Sequence, residues 1–198
     1  MPLALPIVVY TLMLGLASPA IVGLAGPVAA QTLDAAARAE IEAMRDGDMR
    51  KLVVHEAPAA APDVAFAGPD GAEITLAASN GTLRLVNFWA TWCAPCREEM
   101  PSLQAVEQAL EPQGVKVVLV ATGRNDPAAI ERFFAEAGID RLETGLDPKG
   151  LLARAAGVPG LPVTLVLNRE GDEIARLTGG ADWNGESARA ILSSLAAR

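Results

Sequence analysis

The apolar run Leu83–Trp89 stops four positions before Cys93-Ala94-Pro95-Cys96, which holds the only two cysteines of the chain. Thiols separated by two residues can close a small disulfide ring when the second stands one helical turn beyond the first. That arrangement needs a strand, a sharp turn and a helix start. The residues supply all three: Val86-Asn87-Phe88-Trp89 suits a buried strand, Pro95 suits a first helical turn, and an amphipathic helical pattern follows. A cysteine at a helix N-terminus sees the positive end of the helix dipole and unpaired N–H groups, and both favour thiolate. Cys93 is therefore the candidate nucleophile and Cys96 the resolving thiol.

Other uses of the pair are weaker. A zinc knuckle asks for four ligands, and the chain offers two cysteines and one distant histidine, His55, so no metal is expected. A purely structural disulfide closing so short a loop would remove little entropy from the unfolded chain. Redox exchange is left.

Composition narrows the setting. A chain of 198 residues, 51% apolar, supports one good core. The net charge of −8 and pI near 4.7 argue against nucleic acid, whose phosphates call for a basic face. The first charged side chain is Asp34, and residues 1–30 read as an export segment. It ends either by cleavage after Val28-Ala29-Ala30 or as an inner-membrane anchor, since 7–28 reaches the roughly 20 residues needed to cross a bilayer. Both outcomes put the remainder outside the cytoplasm, in an oxidising compartment.

Along the chain, 33–52 shows a short amphipathic helical pattern, and Ala57-Pro58-Ala59-Ala60-Ala61-Pro62 reads as an extended linker, so that 31–61 is helix plus linker and 62–198 the main domain. His55, between these pieces, is expected at the surface without a role. Val64-Ala65-Phe66 and Glu73-Ile74-Thr75-Leu76 form a hairpin through Gly68-Pro69-Asp70-Gly71, and Asn80-Gly81 turns the chain into the strand before the cysteines. Pro101 falls inside the helix after Cys96, where it should kink it. A buried strand over 115–121 precedes a helix capped by Asp126 and stopped by Gly138; Asp147-Pro148 starts a second short helix. Val163-Thr164-Leu165-Val166-Leu167, a turn, a strand over 173–178 and a final helix close the chain. The alternation argues an α/β fold, a mixed sheet with helices on both faces.

The segment from Val86 through Trp92-Cys93-Ala94-Pro95-Cys96 to Arg97-Glu98-Glu99-Met100-Pro101 resembles the active site of thioredoxin-fold proteins, and within that fold the TlpA/ResA group of exported thiol-disulfide oxidoreductases. The likeness runs from about residue 62 to the C-terminus. It implies a thioredoxin-like fold, a central mixed sheet flanked by helices, with the hairpin as an N-terminal extension. Gly157-Val158-Pro159-Gly160-Leu161-Pro162-Val163-Thr164 matches the loop in which this group has a cis-proline, here Pro162, leaving the backbone of Leu161 to pair with an incoming peptide.

Thioredoxin has a buried aspartate beneath its cysteines, where this chain has Asn87, an amide that cannot take a proton from Cys96. The TlpA/ResA group has an acid three residues beyond the second cysteine, here Glu99, one helical turn from Cys96. Trp92 is expected to shield the disulfide and, with Pro95, Leu161 and Pro162, to meet substrate; Trp89 and Trp183 are expected to pack. The resemblance further implies no cofactor beyond a redox-active Cys93–Cys96 disulfide, and a reductant recharged by a DsbD/CcdA-type membrane donor. Its substrates would be proteins such as apocytochrome c or copper-site assembly factors. A Cu(I)-binding assembly factor and a thiol peroxidase on the same fold are the alternatives; the peroxidase pattern wants threonine where Ala90 stands.

Overall fold

The computed structural model describes Met1, residues 33–76 and residues 81–198. The rest of the 1–30 export segment and Asn80 lie outside the described residues. In chain order the elements are α1 (Ala35–Met44), a 3₁₀ turn (Gly47–Lys51), β1 (Leu52–Ala60), β2 (Phe66–Ala67), β3 (Glu73–Ile74), β4 (Leu83–Trp89), α2 (Ala94–Leu110), β5 (Val115–Thr122), α3 (Pro127–Ala137), β6 (Thr144–Asp147), α4 (Leu151–Ala155), β7 (Val163–Leu167), β8 (Asp172–Thr178) and α5 (Glu186–Ala196). The eight strands make one mixed sheet in the order β1-β8-β7-β4-β5-β6-β2-β3. Strand β4 lies at its middle, parallel to β5 and antiparallel to β7.

Every side chain of β4 is buried, Arg84 and Asn87 included, which explains why the other five are apolar on both faces. Alternation sorts them between two cores. Leu83, Leu85 and Trp89 enter the layer shared with α1, α2, α3 and α5, whereas Val86 and Phe88 enter the layer under α4 and the β2–β3 hairpin. Asn87, in phase with Leu85 and Trp89, therefore faces α2. Helix α2 answers with Cys96, Met100, Leu103, Val106 and Leu110 on its buried stripe. It runs on as one helix through Pro101. Trp89 stacks on Phe134 (centroids 5.6 Å apart) and donates its indole N–H to Thr144 Oγ1 at 3.0 Å, tying β4 to α3 and β6.

Helix α3 starts and stops as its sequence predicts: Asp126 Oδ1 accepts from Ala128 N, and Gly138 takes φ +66° at the end. The structure departs from the sequence reading at five points. The helical pattern over 33–52 splits into α1 and the 3₁₀ turn. The stretch expected as a linker is extended but is hydrogen-bonded: β1 is the antiparallel edge partner of β8, with an irregularity between Val54 and Ala59 that accommodates Pro58. His55 is half-buried, its Nε2 2.6 Å from Glu173 Oε1, so it is no free surface residue. Strand β6 has only four residues, among them a glycine, too short to show a period. Its last residue is Asp147, so the aspartate does not open the next helix from the expected position. Its buried carboxylate instead reaches forward to accept from Leu151 N (2.8 Å) and Ala153 N (3.0 Å), capping α4 from the strand end.

Candidate active site

Cys93 is the N-cap residue of α2 and Pro95 lies in its first turn, so the dipeptide between the sulfurs already follows the helical path. The two cysteines are joined, with S–S 2.03 Å and Cα–Cα 5.3 Å. Cys93 retains 6% of its surface and Cys96 none, so an incoming group meets Cys93 first. The Leu161–Pro162 peptide is cis and immediately precedes β7. Because Val163 pairs with Phe88 in antiparallel register, this peptide stands at the end of the sheet where β4 delivers Cys93. Pro162 O accepts from Gly179 N at 2.9 Å, which anchors the loop to the end of β8.

Glu99 lies one turn beyond Cys96 and is only 4% exposed. Its Oε1 accepts from Asn87 Nδ2 (2.8 Å); its Oε2 accepts from Ala181 N (3.0 Å) and from Trp183 Nε1 (3.3 Å). Asn87 Nδ2 also donates to Thr164 Oγ1 on β7 at 2.9 Å, while its Oδ1 is buried without a partner among the described residues. Burial raises the Glu99 pKa to about 7; the donors Asn87, Ala181 and Trp183 pull it down, and the nearby charge of Lys51 adds the smallest pull. The outcome is a carboxyl that gains or loses a proton near neutrality. It lines a cleft of about 480 Å³ together with Asp48, Pro95, Glu98, Ser102 and Asp182, which connects an otherwise buried acid to solvent.

Trp92 is 66% exposed and sits over the α2–α3 flank, in a shallow cleft with Arg97, Arg132 and Phe133; the Arg97 guanidinium lies 4.6 Å from the Phe133 ring centroid. The structure thus brings Cys93, Cys96, Glu99, Pro95, Leu161 and Pro162 to one end of the sheet, with Trp92 projecting from its rim. Two contributors escape a sequence reading. Trp183, expected only to pack α5, is buried and also donates to Glu99, and Ala181 acts through its backbone N–H. A tryptophan with a polar handle in an otherwise apolar site is the sole signal for the former.

The sequence model of the Redoxin family matches residues 56–192. The chain belongs to the Redoxin family. Within it, the chain is TlpA/ResA-like. This redoxin is 34% identical over 140 residues to the thiol:disulfide interchange protein HelX of Rhodobacter capsulatus, covering 69% of this chain and 76% of HelX. It is 31% identical to the thiol-disulfide oxidoreductase ResA of Bacillus subtilis, covering 60% of this chain and 65% of ResA. Among solved structures, a DsbE-type thiol:disulfide interchange protein from Chlorobium tepidum superposes with TM-score 0.61 at 27% identity, over 70% of this redoxin and 96% of that chain. The thioredoxin-like architecture expected from the active-site motif is the one observed.

Proposed function

We propose that this redoxin is a protein-disulfide oxidoreductase that reduces disulfides in partner proteins outside the cytoplasm. The observation that carries the reading is the Cys93–Cys96 pair at the mouth of α2 with a buried carboxyl, Glu99, one turn below it. HelX and ResA are named for the same chemistry, which favours it over the copper-binding and peroxidase alternatives.

In the reduced protein the Cys93 thiolate attacks a partner disulfide, forming a mixed disulfide and releasing one partner thiolate, which takes a proton. Glu99 accepts the Cys96 proton through the cleft-side environment, and the Cys96 thiolate attacks Cys93 Sγ. The partner leaves with its second thiol; it has gained two electrons, and the Cys93–Cys96 disulfide has formed. No cofactor beyond this disulfide enters. Leu161 offers backbone groups beside the cis peptide to the partner strand, and Trp92 and Pro95 supply the rim it meets.

The uncharged N-terminal segment supports an extracytoplasmic setting, released or anchored to the inner membrane. There the oxidised protein needs an electron donor, for which a DsbD/CcdA-type membrane reductase fits. Apocytochrome c and the copper-site cysteines of oxidase assembly factors are the proposed substrates. Replacing Cys96 with Ser stalls the cycle at the mixed disulfide, so partners accumulate on Cys93 and are identified by mass spectrometry. Recovery of cytochrome or copper-site proteins is the expected result; a variant that captures nothing, in cells where the Cys93→Ser control also captures nothing, sinks the reading.

A further inference from the structure

The loop that supplies two of the donors to Glu99 is gripped from outside by the chain segment that precedes the sheet. Gly180 packs on the first turn of α2 so tightly that a Cβ there would meet Pro95 O at 3.3 Å. Ser102 of α2 accepts from Trp183 N at 3.0 Å and donates to Glu99 O at 2.7 Å. On the opposite side stands the 3₁₀ turn. Lys51 Nζ donates to Gly180 O (2.5 Å) and pairs with Asp48 Oδ1 (2.8 Å), while Asp48 Oδ2 accepts from Asp182 N (3.1 Å). The turn is itself fixed to α5, because Ser187 Oγ accepts from Asp46 N and donates to Met44 O. The stretch 179–183 is thus held between α2 and a strap formed by the 3₁₀ turn Gly47–Lys51.

We propose that this strap is a working part of the redox site: Lys51 and Asp48 are positioning residues that hold the Ala181 and Trp183 N–H groups on the Glu99 carboxylate. The proposal deepens the proton-acceptor reading of Glu99 and rests on it. The loop leaves β8 through Gly179, which takes φ +93°, so its course beyond the strand depends on the bonds made by 180–183. Ser102 restrains the loop from the α2 side, and the bonds from Lys51 and Asp48 restrain it from the strap side. The groups surrounding Glu99 are Asn87 from β4, Thr164 from β7 behind it, Trp183 and Asp182 from the loop, Glu98 from its own helix, and Asp48 and Lys51 from the strap. Lys51 is the single cation among them, and it acts chiefly by holding Gly180, since a half-exposed ammonium is well screened.

The test is the titration of Glu99 in the full-length oxidised chain, followed by its ¹³C carboxyl shift and by the ¹⁵N–¹H shift of the Trp183 indole. In the native protein both move together with a midpoint near 7. Trp183→Phe removes a donor to the charged form and raises the carboxyl midpoint by about one pH unit. Lys51→Met raises it by less, and also speeds hydrogen exchange at Ala181 N and the Trp183 indole. Lys51→Arg restores both, and Arg50→Met, whose partner is the exposed Asp46, changes neither. A Lys51→Met protein with an unshifted midpoint overturns the proposal, even if its melting temperature falls, as does an indole that ignores the native titration. Because no thiol chemistry enters this measurement, it is separable from the function: a Glu99→Gln protein with native exchange kinetics would sink the proton-acceptor role and leave the strap result standing.

Discussion

Two glutamates of this redoxin are almost equally buried, and they have opposite surroundings. Glu173, on β8 near the far end of the sheet, has a full cation in contact, with Arg176 Nε and Nη2 at 2.6 and 2.7 Å, and also His55 Nε2 at 2.6 Å. The Arg176 guanidinium is held more firmly in its charged form by that pairing. Among the described residues, Glu99 has only neutral donors in contact: an amide, a backbone N–H and an indole. A full positive charge in contact would fix a carboxylate; neutral donors offset only part of the cost of burying it, so the proton is held to about pH 7. Burial alone does not make a working acid. The company does.

The contrast is broken most severely by Glu173→Ala. It strips the shared acceptor from a half-buried arginine and should cost about 3 kcal/mol across neutral pH, read by chemical denaturation, with disulfide exchange per folded molecule unchanged. Glu99→Gln should act in the other direction and depend on pH. A carboxyl whose folded pKa stands above its unfolded value binds more protons when folded, so its contribution is complete below about 4.5 and is lost as pH rises through about 7. The glutamine protein escapes that loss. It should match the native protein near pH 5 and exceed it by about 2 kcal/mol near pH 8, with Asn87 turning its unpartnered Oδ1 toward the new amide. The same variant should reduce a partner disulfide about tenfold more slowly at pH 7, and its rate should lose the inflection near neutrality. The smallest change is expected of His55→Gln, which keeps a hydrogen-bond donor for Glu173 and should shift stability by less than about 1 kcal/mol. A larger loss, or one that grows with falling pH, would show that the imidazolium charge matters to that cluster.

The same contrast shows how far a sequence can be read. Glu99 is legible because helical spacing from Cys96 is arithmetic, and β4 because burial on both faces leaves a mostly apolar run, broken only by Arg84 and Asn87. The hairpin of β2 and β3 is legible from its turn residues, although its paired part is shorter than the pattern suggests. What spacing cannot carry is partnership at long range. The prolines around β1 speak for extended chain but not for its pairing with β8, and nothing near His55 announces Glu173, 118 positions away. Trp183 reads as core because an indole nitrogen has no sequence signature, and Ala181 contributes a group that every residue but proline possesses.

The sulfurs and their carboxylate neighbour are mounted differently, with a consequence for how such a protein can be altered. Cys93 and Cys96 ride on the junction of β4 and α2, and both belong to the larger, tightly packed core, where an added or removed methyl group is felt. Two of the three donors to Glu99, Ala181 N and Trp183 Nε1, come from a peripheral loop that is bonded in turn to a strap that meets solvent. Acidity can therefore drift by edits at the rim while the sulfur geometry stays put, giving a lineage one dial for protons and a separate, stiffer mount for electrons.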